Sequence, residues 1–360
     1  MTSASVDPDE QVRLGVLGAG NIGKVHVQAA AAMDDVDLFA VADALEDNRD
    51  YARRAGVRAV YEDYRSLLRT EPLDAAVVAL PPFLHADAVE LAARRGVNVF
   101  VEKPFARSTE EADRMLAATD GAGVAVGVDH TVRYLPDVRR VHERYRDGRV
   151  GHVPFASVSR VNFGPFDRPP AERSIPEWHL DPDAAGGGVL LELGVHLLDV
   201  LEWTFGDMEV VSADLDSQRE VPVEDAATLL LRSGETDTRV SLHCGAYQWE
   251  DADEFNMTFR LEGVAGTLDS REHAPDSFHG HAAAAAARNV ARRLRGADPA
   301  YYAPTYYLQA YYAALRAFVD ALREGTDPPV SGRDGRRAVE LAEAAYDLAG
   351  TERRPAEVTR

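Results

Sequence analysis

Three clusters of residues in this sequence have the types and spacing that chemistry requires. The first is R-L-G-V-L-G-A-G-N-I-G-K-V-H, residues 13–26. Gly18, Gly20 and Gly23 fill a G-x-G-x-x-G pattern, with Asn21 and Ile22 inside it, after an apolar strand-like run and at the start of a helical one. Such a turn is tight, and its backbone can approach a pyrophosphate at the helix N-terminus. Asp43 follows the second apolar run, twenty residues after Gly23. There its carboxylate would accept both hydroxyls of an adenosine ribose. A 2′-phosphate would meet that charge together with Glu46 and Asp47, so NAD is favoured over NADP.

The second cluster combines A-L-P-P-F-L-H-A-D (79–87) with V-F-V-E-K-P-F (99–105), each at the end of a strand-like run. Ligands of open α/β sheets bind at the carboxyl ends of strands. Leu80, Pro81, Pro82, His85 and Glu102 are therefore cofactor-side candidates, Pro81 and Pro82 as a rigid wall. Lys103 stands between Glu102 and the turn-forming Pro104. Of the 39 basic side chains 37 are Arg, and only Lys24 and Lys103 are Lys. A Lys retained at this place points to a compact ammonium with an adjustable pKa, which Arg cannot supply.

The third cluster is A-G-G-G-V-L-L-E-L-G-V-H-L-L-D-V-L-E-W, residues 185–203. At 100° per residue Glu192, His196 and Asp199 share a stripe about 60° wide on an otherwise apolar helix. Ionisable groups on a buried helix must be paired, and a carboxylate beside an imidazole raises its basicity and fixes its tautomer.

The elements that must position these groups follow from the pattern of apolar runs. Val12–Leu17, Val36–Ala42, Ala75–Leu80, Val97–Val101 and Val124–Val128 read as strands covered on both faces, with amphipathic stretches between them, which implies a parallel doubly wound sheet. After Arg133 come a helix near Pro136–Arg146, a strand Phe155–Asn162 and a Pro-rich loop to Asp183. The long apolar helix Val189–Phe205 follows. Alternating runs Val210–Asp216, Ala226–Arg232, Thr238–Cys244, Phe255–Glu262 and Thr267–Asp269 imply a mostly antiparallel sheet. Residues 271–302 contain a helix by propensity, and helices Thr305–Glu324 and Gly335–Leu348 close the chain. The expected fold is α/β: a disordered acidic leader (1–11), a Rossmann domain (12–132), an α+β domain with an open sheet (133–350) and a tail (351–360).

Composition narrows the partners. In 360 residues, 60 acidic and 39 basic side chains give a net charge of −21, while 46% hydrophobic residues suffice for a core. So acidic a surface disfavours nucleic acid and anionic lipid, and with so little Lys it fits equally an adaptation to a salt-rich, halophilic cytoplasm and codon bias in an acidic proteome. The lone Cys244 excludes an internal disulfide. The first ten residues lack the basic and apolar regions of a signal peptide, and no uninterrupted apolar run approaches membrane-spanning length. A soluble cytoplasmic protein, with no membrane partner, is expected.

Taken in order, G-x-G-x-x-G-x-x-H, P-P-x-x-H, E-K-P and G-G-G-x-L-x-[D/E]-x-G-x-H-x-x-D resemble the glucose–fructose oxidoreductase / inositol dehydrogenase (Gfo/Idh/MocA) family, from about residue 12 to 350. The resemblance implies a dehydrogenase moving hydride between a sugar, cyclitol or polyol hydroxyl carbon and NAD, assembled as a homodimer or homotetramer. It makes Lys103 and His196 catalytic, brings them to one cleft from different domains, and gives Glu192 as the acidic partner of His196. Its implied alternatives are NAD-dependent glycoside cleavage without net redox and a non-catalytic cofactor-sensing regulator. This sequence departs from the family at Glu192, where Asp is common, at Leu80, where Thr often precedes the Pro pair, and at Asp129-His130, where Asn is frequent ahead of the Arg matched by Arg133. Substrate-contact candidates are His130, Arg133, Trp178, His179 and Asp199. A metal site built from His130, His179 and His196 has the residue types but no close spacing, and no metal is expected.

Overall fold

The computed structural model describes residues 10–162, 177–219, 221–247, 257–274, 278–294 and 306–350. Most of the expected leader and all of the tail lie outside the described residues.

Six short strands make the first sheet: β1 (Val12–Leu17), β2 (Val36–Ala42), β3 (Ala59–Tyr61), β4 (Ala75–Val78), β5 (Asn98–Val101) and β6 (Val126–Val128). Their order is β3-β2-β1-β4-β5-β6, and every neighbouring pair is parallel. Val77, Val78, Val99 and Val101 are fully buried, as side chains must be when helices cover both faces of a sheet. Strand order reverses direction between β1 and β4, so a crevice opens at the carboxyl ends of these two strands, where Gly18 and Leu80 stand. The sequence reading missed β3. Its three residues, Ala-Val-Tyr, are all half-buried at the sheet's edge, too short to show a periodicity.

Helix boundaries in this unit follow ordinary capping chemistry. Asp63 accepts from Ser66 N–H at the start of Tyr64–Thr70, and Ser108 accepts from Glu111 N–H at the start of Thr109–Ala122, which ends on a left-handed Gly123.

A second sheet contains β7 (Phe155–Val161), β8 (Met208–Asp216), β9 (Ala226–Ser233), β10 (Arg239–Gly245), β11 (Met257–Gly263) and β12 (Gly266–Asp269), ordered β12-β11-β7-β10-β9-β8. All pairs are antiparallel except β7 with β10. One face is core and the other is open: in β9, Leu229 and Leu231 are buried whereas Leu230 is 51% exposed.

The chain divides into two compact units, one holding the described residues up to Thr131 with Leu308–Arg336, the other Val132–Tyr307 with the described residues from Arg337. The sequence reading had put the whole of 133–350 into the second domain. The difference lies in residues 308–336, which return to the first unit and close its sheet through Val128 N–H donating to Val330 O. Tail helices Tyr306–Glu324 and Gly332–Ala349 and a helix Phe278–Leu294 form where propensity placed them.

Two details of the apolar helix differ from the sequence reading. The segment Pro182–Phe205 is long and apolar enough to qualify as a membrane span by composition, yet 72% of its most apolar 18-residue stretch is buried inside the protein, which makes it a core helix. It is also not one regular α-helix: Leu190–Gly194 form a π-helical turn that runs into the α-helix Val195–Phe205. A π turn advances fewer degrees per residue, so the stripe expected from uniform 100° spacing is twisted at Glu192.

Candidate nucleotide and active site

The three glycines of the first unit serve three different needs. Gly18 has φ +90, and a Cβ there would lie 2.3 Å from Ala79 O, so the turn out of β1 admits only Gly. A Cβ on Gly23 would lie 2.0 Å from Gly18 O, which lets the helix Asn21–Ala31 sit against the turn. Gly20, the N-cap of that helix, would meet nothing within 4 Å. Its missing side chain leaves open space over the helix N-terminus, the place where a pyrophosphate is held by backbone N–H groups. Asn21 and Ile22 begin the helix beside that space.

Asp43 lies just past β2 and ties the loop together. Its Oδ2 accepts from Ala19 N–H at 2.6 Å, and its Oδ1 accepts from Leu45 N–H at 2.8 Å and Asn48 Nδ2 at 3.1 Å. Both lone pairs of Oδ1 are thereby used, and Oδ2, with one donor, keeps lone-pair capacity for a ribose hydroxyl. The nearby Arg49, a candidate phosphate partner, is engaged elsewhere. It pairs with Glu46 and donates to the carbonyls of Asp43 and Ala44, each at 2.7 Å.

On the other side of the crevice, Pro81 and Pro82 lead a short 3₁₀ turn, Pro82–Leu84. His85, expected on the cofactor side, is buried and faces the protein instead. Its Nε2 donates to Leu80 O at 2.8 Å, and Nδ1 lies 3.1 Å from Pro104 O. It packs between the P-P loop and the E-K-P loop, and burial pushes its pKa down.

Glu102 is likewise turned into the protein. Its Oε1 is 2.7 Å from Nε2 of His26, and its Oε2 accepts the backbone N–H of Lys103 at 3.2 Å. Asp129 Oδ2 lies 3.3 Å from the same His26 nitrogen. His26 closes the glycine motif and Asp129 departs from the family pattern, and neither was among the expected site residues. Ligand-type atoms of His26, Glu102 and Asp129 lie within 4.8 Å of one another. At 2.7 Å the His26–Glu102 contact has the length of a charge-assisted hydrogen bond.

The second unit presents Glu192, His196 and Asp199 on one segment, with Glu192 half-buried in the π turn and His196 buried in the α-helix. Asp199 is committed to Arg133: Nε and Nη2 of Arg133 donate to its two oxygens, each at 2.6 Å. Both are buried. Arg133 also lies over Trp203, at 5.6 Å from the ring centroid, and Trp203 stacks on His142 at 3.5 Å. The two expected substrate contacts thus form a structural pair. Breaking such a pair from one side costs about 3–5 kcal/mol. Trp178 and His179 stack on each other at 3.5 Å in the 3₁₀ turn Glu177–Leu180, both half-buried, and His130 is fully buried.

Glu224 and Tyr346 were not legible in the sequence, yet they anchor the segment that carries Glu192 and His196. Glu224 accepts from Gly188 N–H at 2.9 Å, from Leu190 N–H at 3.1 Å and from the Tyr346 hydroxyl at 2.6 Å. A Cβ on Gly188 would fall 2.0 Å from Glu224 O, and one on Gly187 would fall 2.2 Å from the Tyr346 hydroxyl. The G-G-G run is therefore a packing requirement at the root of the helix.

Residues 12–130 match the family model "Oxidoreductase family, NAD-binding Rossmann fold", and residues 138–269 match the GFO/IDH/MocA C-terminal domain. The chain belongs to the GFO/IDH/MocA oxidoreductase family. It is 29% identical over 356 residues to the D-apiose dehydrogenase of Paraburkholderia graminis, covering 96% of this chain and 89% of that one. It is 26% identical to the myo-inositol 2-dehydrogenase of Thermotoga maritima, covering 93% and 95%. The solved structure of GenD2 from gentamicin A biosynthesis, in complex with NAD, has the same fold at 23% identity, with TM-score 0.78 over 98% of this chain and 97% of that one. Within this family the first unit is the NAD-binding Rossmann domain.

Proposed function

We propose that the chain is an NAD-dependent dehydrogenase of a sugar, cyclitol or related polyol. The observation that carries this reading is the cradle of the first unit. Gly20 leaves the helix N-terminus open, and the Asp43 carboxylate beside it would accept an adenosine ribose hydroxyl. The ionised Asp43 repels a 2′-phosphate, and Arg49, committed to Glu46 and two carbonyls, is not free to receive one. This supports NAD over NADP.

When bound, the nicotinamide ring supplies the hydride acceptor. The protein's part is the proton. His196 takes it from the substrate hydroxyl, Glu192 orients the imidazole, and the ammonium of Lys103 stabilises the developing alkoxide. These roles rest on the match of E-K-P and of the Glu192 to Asp199 segment to the family motifs.

The reading is tested by titrating the protein with NAD and NADP and screening polyols and sugars for NADH formation. NAD should bind at least tenfold more tightly than NADP, and Asp43→Ala should erase most of that difference. Lys103→Met and His196→Ala should each lower kcat by about 10²–10⁴-fold while NAD affinity changes less than about twofold. Normal turnover by both variants on the true substrate would sink the assignment.

A further inference from the structure

We propose that His26, Glu102 and Asp129 form a positioning unit for Lys103, in which His26 grips one oxygen of Glu102 while the other oxygen holds the Lys103 backbone N–H. This rests on the catalytic role given to Lys103 above and assigns the residues that hold it in place.

The geometry is specific. Glu102 ends the β5 side of the crevice and bridges two partners, His26 Nε2 at 2.7 Å and Lys103 N–H at 3.2 Å. His26 itself is fully buried. It makes its polar contacts through Nε2, while Nδ1 has no hydrogen-bond partner among the described residues. The rings of Phe100 and Tyr311 flank the imidazole almost perpendicularly, with centroids at 5.9 and 5.7 Å. Tyr311 belongs to the helix that returns from the C-terminal part of the chain. Asp129, just past β6, completes the cluster at 3.3 Å from Nε2. Neither Asp129 oxygen accepts a hydrogen bond among the described residues.

The charges that act on one another here are His26, Glu102, Asp129 and Lys103, and the Glu102 charge also reaches the buried His85. Burial opposes the His26 charge, but the two carboxylates outweigh it and raise its pKa to about 9. Burial and the charge of Glu102 push Asp129 well above the ordinary carboxylate range. Burial disfavours the Glu102 anion, yet His26 outweighs this and lowers its pKa. These directions favour an imidazolium held by the Glu102 carboxylate, while burial and the Glu102 charge bias Asp129 toward its protonated form. An Asn at position 129 would be isosteric with that protonated acid.

The unit acts by stiffness. Lys103 must present its ammonium within about 0.5 Å of the productive position, and a flexible side chain achieves this only from a fixed backbone. Loss of the imidazolium would free Glu102 to turn, and with it the N–H it holds.

Because the chain has two lysines, the test has a direct readout. Full-length protein labelled with ¹⁵N-lysine shows two lysine backbone amides, and Lys24→Arg identifies that of Lys103. The wild-type Lys103 amide should shift with an inflection near pH 9, and the His26 ring of ¹⁵N-histidine-labelled protein should titrate at the same midpoint. In His26→Gln the lysine inflection should vanish. kcat should fall about 100-fold, the scale of a misplacement near 1 Å, with NAD affinity and substrate KM within about threefold of wild type. Glu102→Gln, whose amide oxygen can still accept from Lys103 N–H, should bring the His26 midpoint below 7. This second variant decides the matter should His26→Gln not fold. A His26 midpoint at or below 7 in the wild type, a Lys103 amide indifferent to pH, or a folded His26→Gln with kcat within twofold of wild type would each overturn the proposal. If no polyol or sugar is oxidised, the dehydrogenase reading fails, while the two titrations still decide whether the cluster holds Lys103.

Discussion

Gly20 and Gly23 are three residues apart and answer to different physical demands. Gly23 is required by packing, because any Cβ collides with the Gly18 carbonyl. Gly20 has ordinary backbone angles and empty space beside it, so what it must avoid is the ligand. Gly23→Ala should therefore cost about 2–3 kcal/mol in a melting experiment through overpacking. Gly20→Val should melt as wild type and weaken NAD binding about 100-fold or more by calorimetry. Equal melting temperatures for the two variants would refute this division. The motif and Asp43 were readable because a strand, a turn and a helix lie consecutively in the chain. His26 was not, since its partners Glu102 and Asp129 are 76 and 103 positions away, and only the sheet order brings the ends of β5 and β6 over the first helix.

Among the elements, the segment from Gly187 to Phe205 shows most clearly where pattern reading stops. Its apolar sides and ionisable stripe predicted a buried helix with paired charges, and the helix is there. The pattern could not show that its first turn is π-helical or that Asp199 is consumed by Arg133. Both depend on groups remote in sequence, Glu224 and Tyr346 at the helix root and Arg133 at its side. Gly188→Ala forces a Cβ into the Glu224 carbonyl and should lower stability by about 3 kcal/mol. Tyr346→Phe removes one hydrogen bond to a buried carboxylate and should cost about 1.5–3 kcal/mol. Both should reduce kcat while leaving NAD affinity, a property of the other unit, within about twofold. A large loss of NAD affinity with kcat intact would show the anchor misassigned. The strands of the first sheet were legible as apolar runs because burial on both faces leaves no alternation to find, whereas β3, short and half-exposed, carried no such mark.

For the molecule as a whole, a net charge of −21 means self-repulsion at low ionic strength. Arg–carboxylate pairs such as Arg13 with Asp74, Arg114 with Glu90 and Arg336 with Asp113 relieve it only locally, since exposed pairs contribute about 1 kcal/mol or less. We expect the melting temperature to rise by several degrees between low salt and about 1 M KCl, where the Debye length falls to about 3 Å, and to level off above that. A curve flat across this range would show that the acidity is not a stability determinant. By itself the sequence determined the family, the two kinds of sheet and the chemistry-bearing residues, because local propensity, turn geometry and motif spacing are properties of contiguous chain. Tertiary structure alone decided which of those residues are spent on the protein, His85 packed between two loops, Asp199 in an ion pair and Glu102 between His26 and Lys103. A buried polar group must find its partner wherever the fold places one, and in this chain most such partners lie dozens of residues away.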